Sequence, residues 1–287
     1  MLDDHRFADR VKVASTRARA VEILQEAQRD RKSVLPCGNG TRLQRFLPEA
    51  DPDRWLSVAG MQEMVWLDAE DQTCAVEAGM SPAKLQELLA PHALQVDALC
   101  PNMEHGTLGG IFMSRERSLL AAGCGPLRDQ VLGATWLMAD GSIVESGARV
   151  VKSVAGYDVT RLFLGSRGRL AICLDLTLRL RPKAPARRWF TLERQAWLQR
   201  DPTFPEPRLA IPSLDAADKV LLAYTGFVPQ AGRLEILDAA SAEATLATYL
   251  QRVGEGVLDP PLPPDSPWLH QLAEACAPGA PHFGGAR

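Results

Sequence analysis

Gly106-Thr-Leu-Gly-Gly110, Ala122-Gly-Cys-Gly-Pro126, Lys152-Ser-Val-Ala-Gly-Tyr-Asp158, Gly165-Ser-Arg-Gly168 and the run Leu170–Leu180 share one stretch of chain, residues 106–180. How that stretch is read decides the fold. From Leu170 the even positions are Leu170, Ile172, Leu174, Leu176, Leu178 and Leu180, while Asp175, Thr177 and Arg179 take odd ones. Alternation over that length predicts a half-buried strand. The glycines before it recur beside strand-like segments, where a missing side chain opens the backbone to a close neighbour or a ligand. Each loop alone is also what an ordinary tight turn looks like.

Working back, Val131–Ala139 and Ser142–Glu145 flank Asp140-Gly141, a hairpin signal. Asp158 caps a short helix that runs through Leu164 and stops at Gly165. Ser81 and Pro82 open a helix with Leu85, Leu88 and Leu89 on its buried face. Short apolar runs at Trp55–Val58, Met64–Leu67 and Thr73–Ala78 predict strands, the last two joined by a turn at 68–72. Nearer the start, Ser15 or Thr16 caps a helix over 15–30 with Ala20, Val21, Ile23, Leu24 and Ala27 in one stripe. A strand, Ser33–Pro36, then leads into Cys37-Gly-Asn-Gly-Thr41.

Working forward, Pro182 and Pro185 end the long strand and set a domain boundary at about 183–188. Beyond it, Arg187–Leu192, Arg208–Ile211 and Lys219–Thr225 read as strands and Ala239–Val253 as a helix. Asp259–Pro267 is a proline-rich extended segment, and 268–276 a last short helix.

The chain has 287 residues, 46% of them hydrophobic and 23% charged, enough for one large domain and a smaller one. A net charge of −3 gives no electrostatic case for nucleic acid or an anionic membrane. No run reaches the length of a membrane span, and the acidic start Met1-Leu-Asp-Asp4 is not a signal peptide, so a cytoplasmic location is expected. The six cysteines form no Cys-x-x-Cys pair and read mostly as small buried hydrophobes, so no metal or iron–sulfur site is expected within this chain. The five histidines show no metal-binding spacing.

Cys37-Gly-Asn-Gly-Thr41 follows a strand, and successive backbone N–H groups in such a loop form an anion-holding nest. Leu43 stands where a nicotinamide-type dinucleotide fingerprint needs its third glycine, and no Walker A lysine motif occurs. Arg128-Asp129 is a structural ion pair or an orienting one for the glycine loop before it. Lys152 is either solvated or a source of positive charge for a ligand. Tyr157 and Arg161 read as packing and surface residues, His105 as a surface residue beside a glycine pair, and His282 as a lone histidine.

Pro36–Thr41, Gly106–Gly110, Arg128–Gly133, Val151–Leu162 and Gly165–Ile172, taken in order, resemble the FAD-binding domain of the vanillyl-alcohol-oxidase (PCMH) type flavoproteins, and most closely the FAD-binding subunit of glycolate oxidase. The resemblance runs over about residues 10–182. It implies an α+β, two-lobed FAD-binding domain over 1–182, with a small lobe to about 80 and a larger lobe from about 81, followed by a shortened α+β cap over 183–287. It implies cofactor contacts from Cys37, Gly38, Asn39, Gly40 and Thr41 in the pyrophosphate loop. The larger lobe would add Pro101, Gly106, Thr107, Leu108, Gly109, Gly110, Gly123, Gly125, Arg128, Asp129, Gly168 and Ile172. The loop has no histidine, so FAD is expected to be held non-covalently.

The same resemblance implies a role as the flavin subunit of a 2-hydroxy-acid (glycolate-like) dehydrogenase or oxidase complex. Its expected partners are a second flavoprotein subunit and an iron–sulfur subunit. Departures from the family pattern are Glu116 and Arg117 after the Thr107–Gly110 run, Arg169 after Gly168, and the short tail. They sustain an alternative, a structural or regulatory subunit that keeps the fold and stabilises a catalytic partner.

Overall fold

The computed structural model describes residues 9–43, 50–97, 99, 105–114, 126–147, 159–183, 188–199, 209–212, 218–224, 235–238 and 241. Strand β1 (Val11–Val13) leads into helix α1 (Arg17–Arg29), then β2 (Val34–Cys37) and β3 (Arg54–Ser57). The three strands form a parallel sheet in the order β1-β3-β2. Of the two candidate caps, Thr16 is the one used: its side chain accepts from the Arg19 N–H. Ala20, Ile23, Leu24 and Ala27 are the buried stripe that the 3.6-residue period predicts.

The chain then changes sheets. Strands β4 (Met64–Asp68) and β5 (Thr73–Glu77) are followed by helix α2 (Pro82–Leu89), the short strand β6 (Leu94–Gln95) and helix α3 (Leu108–Met113). Next come β7 (Val131–Leu137), β8 (Ile143–Gly147), helix α4 (Val159–Phe163), β9 (Ile172–Arg179) and β10 (Arg181–Pro182), which pairs with β6. The larger sheet is antiparallel with the order β4-β5-β9-β7-β8. The expected division at about residue 80 therefore falls after two strands that belong to the larger sheet, and the switch lies between Ser57 and Met64. Gly79 seals the crossing, since a Cβ there would lie 2.0 Å from the Val58 carbonyl oxygen.

Two side-chain expectations need correction. Leu88 is 38% exposed, and the buried face of α2 is Pro82, Leu85 and Leu89. Strand β9 is buried on both faces at Cys173 and Asp175, where half-burial was expected. It is the central strand, and Arg17 at the start of α1 reaches over it. Asp175 accepts from Thr135 Oγ1 at 2.9 Å and from Arg17 Nη2 at 2.6 Å. Burial outweighs both bonds and pushes its carboxyl above the usual carboxylate range. With Gln28, whose side-chain amide donates to the Ala139 carbonyl, this pair fastens α1 to the larger sheet near both of the helix's ends.

The tail adds β11 (Arg188–Glu193), helix α5 (Arg194–Leu198), β12 (Leu209–Pro212), β13 (Lys219–Tyr224) and β14 (Glu235–Leu237), an antiparallel sheet in the order β12-β13-β11-β14. Trp189, Leu221 and Ala223 join the main core, while Phe190, Leu192, Val220, Leu222 and Tyr224 make a second one on the opposite face. The expected helices at 239–253 and 268–276 and the segment 259–267 lie outside the described residues. Among the described residues no helix is long and apolar enough to cross a membrane, and no group of three metal-ligating side chains occurs.

Candidate functional site

Strand β2 ends at Cys37, and the chain turns through Gly38, Asn39, Gly40 and Thr41, with Gly40 at φ +73°. Three side-chain bonds fix this loop. Ser57 Oγ donates to the Gly38 carbonyl at 3.2 Å, Asn39 Nδ2 to the His105 carbonyl at 3.3 Å, and Arg42 Nη1 to Thr41 Oγ1 at 3.0 Å. The backbone N–H groups of Gly38, Asn39, Gly40 and Thr41 donate to no acceptor among the described residues. A run of such donors at one turn is an anion nest.

Helix α3 forms the facing wall, and its donors are spent. Leu108 N–H goes to the Met80 carbonyl and Gly109 N–H to the Ala78 carbonyl, both at 2.8 Å, and Gly110 N–H goes to Thr107 Oγ1 at 3.1 Å. Thr107 is thus the N-cap, and Gly109 gives room for Ala78, whose Cβ would lie 2.8 Å from an added Cβ. The third wall is the turn 165–168, where Gly165, Arg167 and Gly168 have φ of +82°, +57° and +76°. Arg167 N–H donates to the Met113 carbonyl at 3.0 Å, which ties this turn to the end of α3.

The glycines do a second job here. An added Cβ would lie 2.1 Å from Thr107 Oγ1 at Gly38, 2.1 Å from Arg42 Nη1 at Gly106 and 2.2 Å from Pro36 Cγ at Gly168. Each pair brings the end of β2 or the loop after it against the start of α3 or the turn 165–168. The glycine spacing that suggested access for a ligand is, at these three positions, access for a neighbouring side chain.

Between the walls lies an open cleft of about 690 Å³, mouth included. Of the residues singled out from sequence, it brings together Cys37, Gly38, Asn39, Gly40, Thr41, Thr107, Gly109, Gly110, Gly168 and Ile172. Gly106 backs Arg42, and Leu108 is buried in the core; neither lines the cleft. Arg128 and Asp129 stand outside it on the turn Leu127–Gln130, paired at 3.6 Å, with Arg161 4.0 Å from the same carboxylate. Pro101, Gly123 and Gly125 lie outside the described residues, as do Lys152 and Tyr157.

Sequence reading missed Arg42, Leu43, Val58, Met113, Ser114, Arg167, Ala171 and Cys173 in the lining. Arg42 was within reach, as the cation next to the nest. Met113 and Arg167 meet only through a tertiary bond. The Cys37 thiol is pushed up to about 12 by burial, and burial also raises Cys173, so both thiols in the lining are neutral and inert.

The model for a family described as FAD binding domain matches residues 8–147. Residues 8–147, just under half of the chain, are thus similar to that family. FAD is the cofactor of such a domain, and the fold agrees with it. The chain is 30% identical over 161 residues to glycolate oxidase subunit GlcD of Bacillus subtilis, a match covering 56% of this chain and 34% of that protein. It is 30% identical over 159 residues to mitochondrial D-lactate dehydrogenase [cytochrome] of Arabidopsis thaliana, covering 55% of this chain and 28% of that one. The match thus spans about a third of the relatives' length. A solved structure of alkyldihydroxyacetonephosphate synthase shares the fold with a TM-score of 0.60 at 12% identity, over 93% of this chain and 54% of that one.

Proposed function

We propose that FAD is held non-covalently in the cleft between the loop 38–41, α3 and the turn 165–168, and that the chain is the flavin subunit of a 2-hydroxy-acid dehydrogenase. The observation that carries this is the nest: four successive N–H groups, without described acceptors, line the cleft at the end of a strand. The fit is also one of charge, since the described lining residues include two arginines and no acid. Non-covalent binding follows from the loop's chemistry. It has no histidine, and the neutral Cys37 thiol is no nucleophile near pH 7. The bound flavin supplies the two-electron acceptor; this chain's residues supply binding, orientation and shielding from water.

The matched relatives are named for glycolate and D-lactate, which makes a short 2-hydroxy acid the proposed substrate class. A second flavoprotein subunit and an iron–sulfur subunit are the proposed partners. A second reading, an assembly subunit that supports a catalytic partner, has one observation in its favour. No Asp, Glu, His, Lys or Tyr is among the described lining residues, so none of them supplies a base for the substrate hydroxyl.

The experiment is an absorption spectrum of the purified chain after reconstitution with FAD, followed by anaerobic addition of glycolate or D-lactate. A retained flavin spectrum that bleaches supports the flavin subunit. A retained spectrum that never bleaches, even with partners present, favours the assembly subunit. No retained flavin removes the flavin subunit and leaves the assembly subunit standing.

A further inference from the structure

Two arginines line the cleft from opposite walls. Arg42 follows the nest on the first lobe, with Nη1 on Thr41 Oγ1 and its guanidinium packed against Gly106. Arg167 stands on the larger lobe, anchored by its N–H to the Met113 carbonyl. Its backbone is the second observation. Among the described residues four that are not glycine have positive φ: Arg31, Gln72, Ala93 and Arg167. The first three close a helix or turn a hairpin: Arg31 follows α1, Gln72 lies between β4 and β5, and Ala93 caps a short 3-10 turn. Arg167 alone of the four lines the cleft, between Gly165 and Gly168, in a conformation where glycine carries less strain. A non-glycine residue kept in a strained conformation at a ligand-facing turn is a pointer to ligand chemistry.

Resting on the FAD reading above, we propose that Arg42 and Arg167 form a two-sided cationic clamp on the cofactor's diphosphate, closing over the nest between them. The nest supplies directional N–H donors without net charge; the arginines supply the charge, one from each lobe. The cleft then selects a phosphorylated flavin over uncharged riboflavin. Backbone strain at Arg167 is retained because a glycine there would take the guanidinium away.

The test titrates the full-length apo chain with FAD, followed by flavin fluorescence, at 50 and about 500 mM KCl. Arg42→Gln and Arg167→Gly are each expected to raise the low-salt Kd about tenfold or more and to flatten its dependence on salt, because each removes a charge-assisted contact. Arg167→Lys keeps the charge and should retain most of the salt dependence. Thermal melts of apo Arg167→Gly and Arg42→Gln show that each variant folds. The clamp is overturned if both variants bind FAD like wild type. It is equally overturned if they bind weakly with the full salt dependence kept, which is the mark of a structural role. A wild-type chain that takes up no FAD at either salt refutes the cofactor reading, and the clamp with it.

Discussion

Gly38→Ala tests whether the cleft is set by contacts between its walls. The new methyl would lie 2.1 Å from Thr107 Oγ1, 2.8 Å from its Cγ2 and 3.0 Å from its Cβ. Thr107 cannot swing away freely, because it is β-branched, buried and the N-cap of α3. Overpacking costs about 1–3 kcal/mol and a lost cap about 0.5–2, so the substitution should destabilise by about 2–4 kcal/mol. At this chain length that lowers the melting temperature by roughly 5–15 °C. The assay is a double-mutant cycle with Thr107→Ala, which removes the two closest atoms and leaves only the 3.0 Å contact. Thr107→Ala alone should cost about 1 kcal/mol through the cap. Adding Gly38→Ala to it should then cost much less than in wild type, a coupling of about 1–2 kcal/mol. Additive effects would refute the reasoning, because they would mean that the methyl is accommodated without meeting Thr107.

Gly168→Ala should be worse, and harder to rescue, since it combines φ of +76° with an approach of 2.2 Å to Pro36 Cγ; thermal melts should show that Pro36→Ala restores only part of the loss. Cys37 and Cys74, both pushed up to about 12 by burial, should resist iodoacetamide in the native protein at about pH 8 and label fully after denaturation, with mass spectrometry as the readout. Burial raises the folded Asp175 carboxyl above its ordinary 3.8, so its contribution to stability is complete below that pH and is lost as pH rises through the folded value. Asp175→Asn should therefore flatten the pH dependence of stability just above pH 3.8, measured by urea denaturation; an unchanged slope there would contradict the shift.

What the sequence made legible is mostly local. Thr16 and Ser81 are caps because a short polar side chain before an apolar stripe has one favoured use. Asp140-Gly141 turns the β7–β8 hairpin with Gly141 at φ +88°. The nest was readable because two glycines after a strand leave backbone donors facing outward. Partners were not readable. Met64–Asp68 and Thr73–Glu77 announce strands, yet nothing in them says that the second pairs with Ile172–Arg179. Asp175 read as the solvent side of a strand because its alternation is the same whether the polar face meets water or an arginine reaching over from another element. A glycine left bare for a ligand and one left bare for Thr107, Arg42 or Pro36 are likewise identical until the walls are placed.

The position of β9 also sets when this protein can fold. β9 lies between β5 and β7, so a chain cut at residue 147, where the family match ends, would leave two hairpins with no strand to join them. Arg17 meets Asp175 across 158 residues, which a ribosome working at about 5–20 residues per second delivers roughly 8–30 s later. Through that interval α1 has the β1-β3-β2 sheet beside it but lacks the strand of the larger sheet to which Arg17 fastens it. The smallest fragment that folds must extend past Arg179.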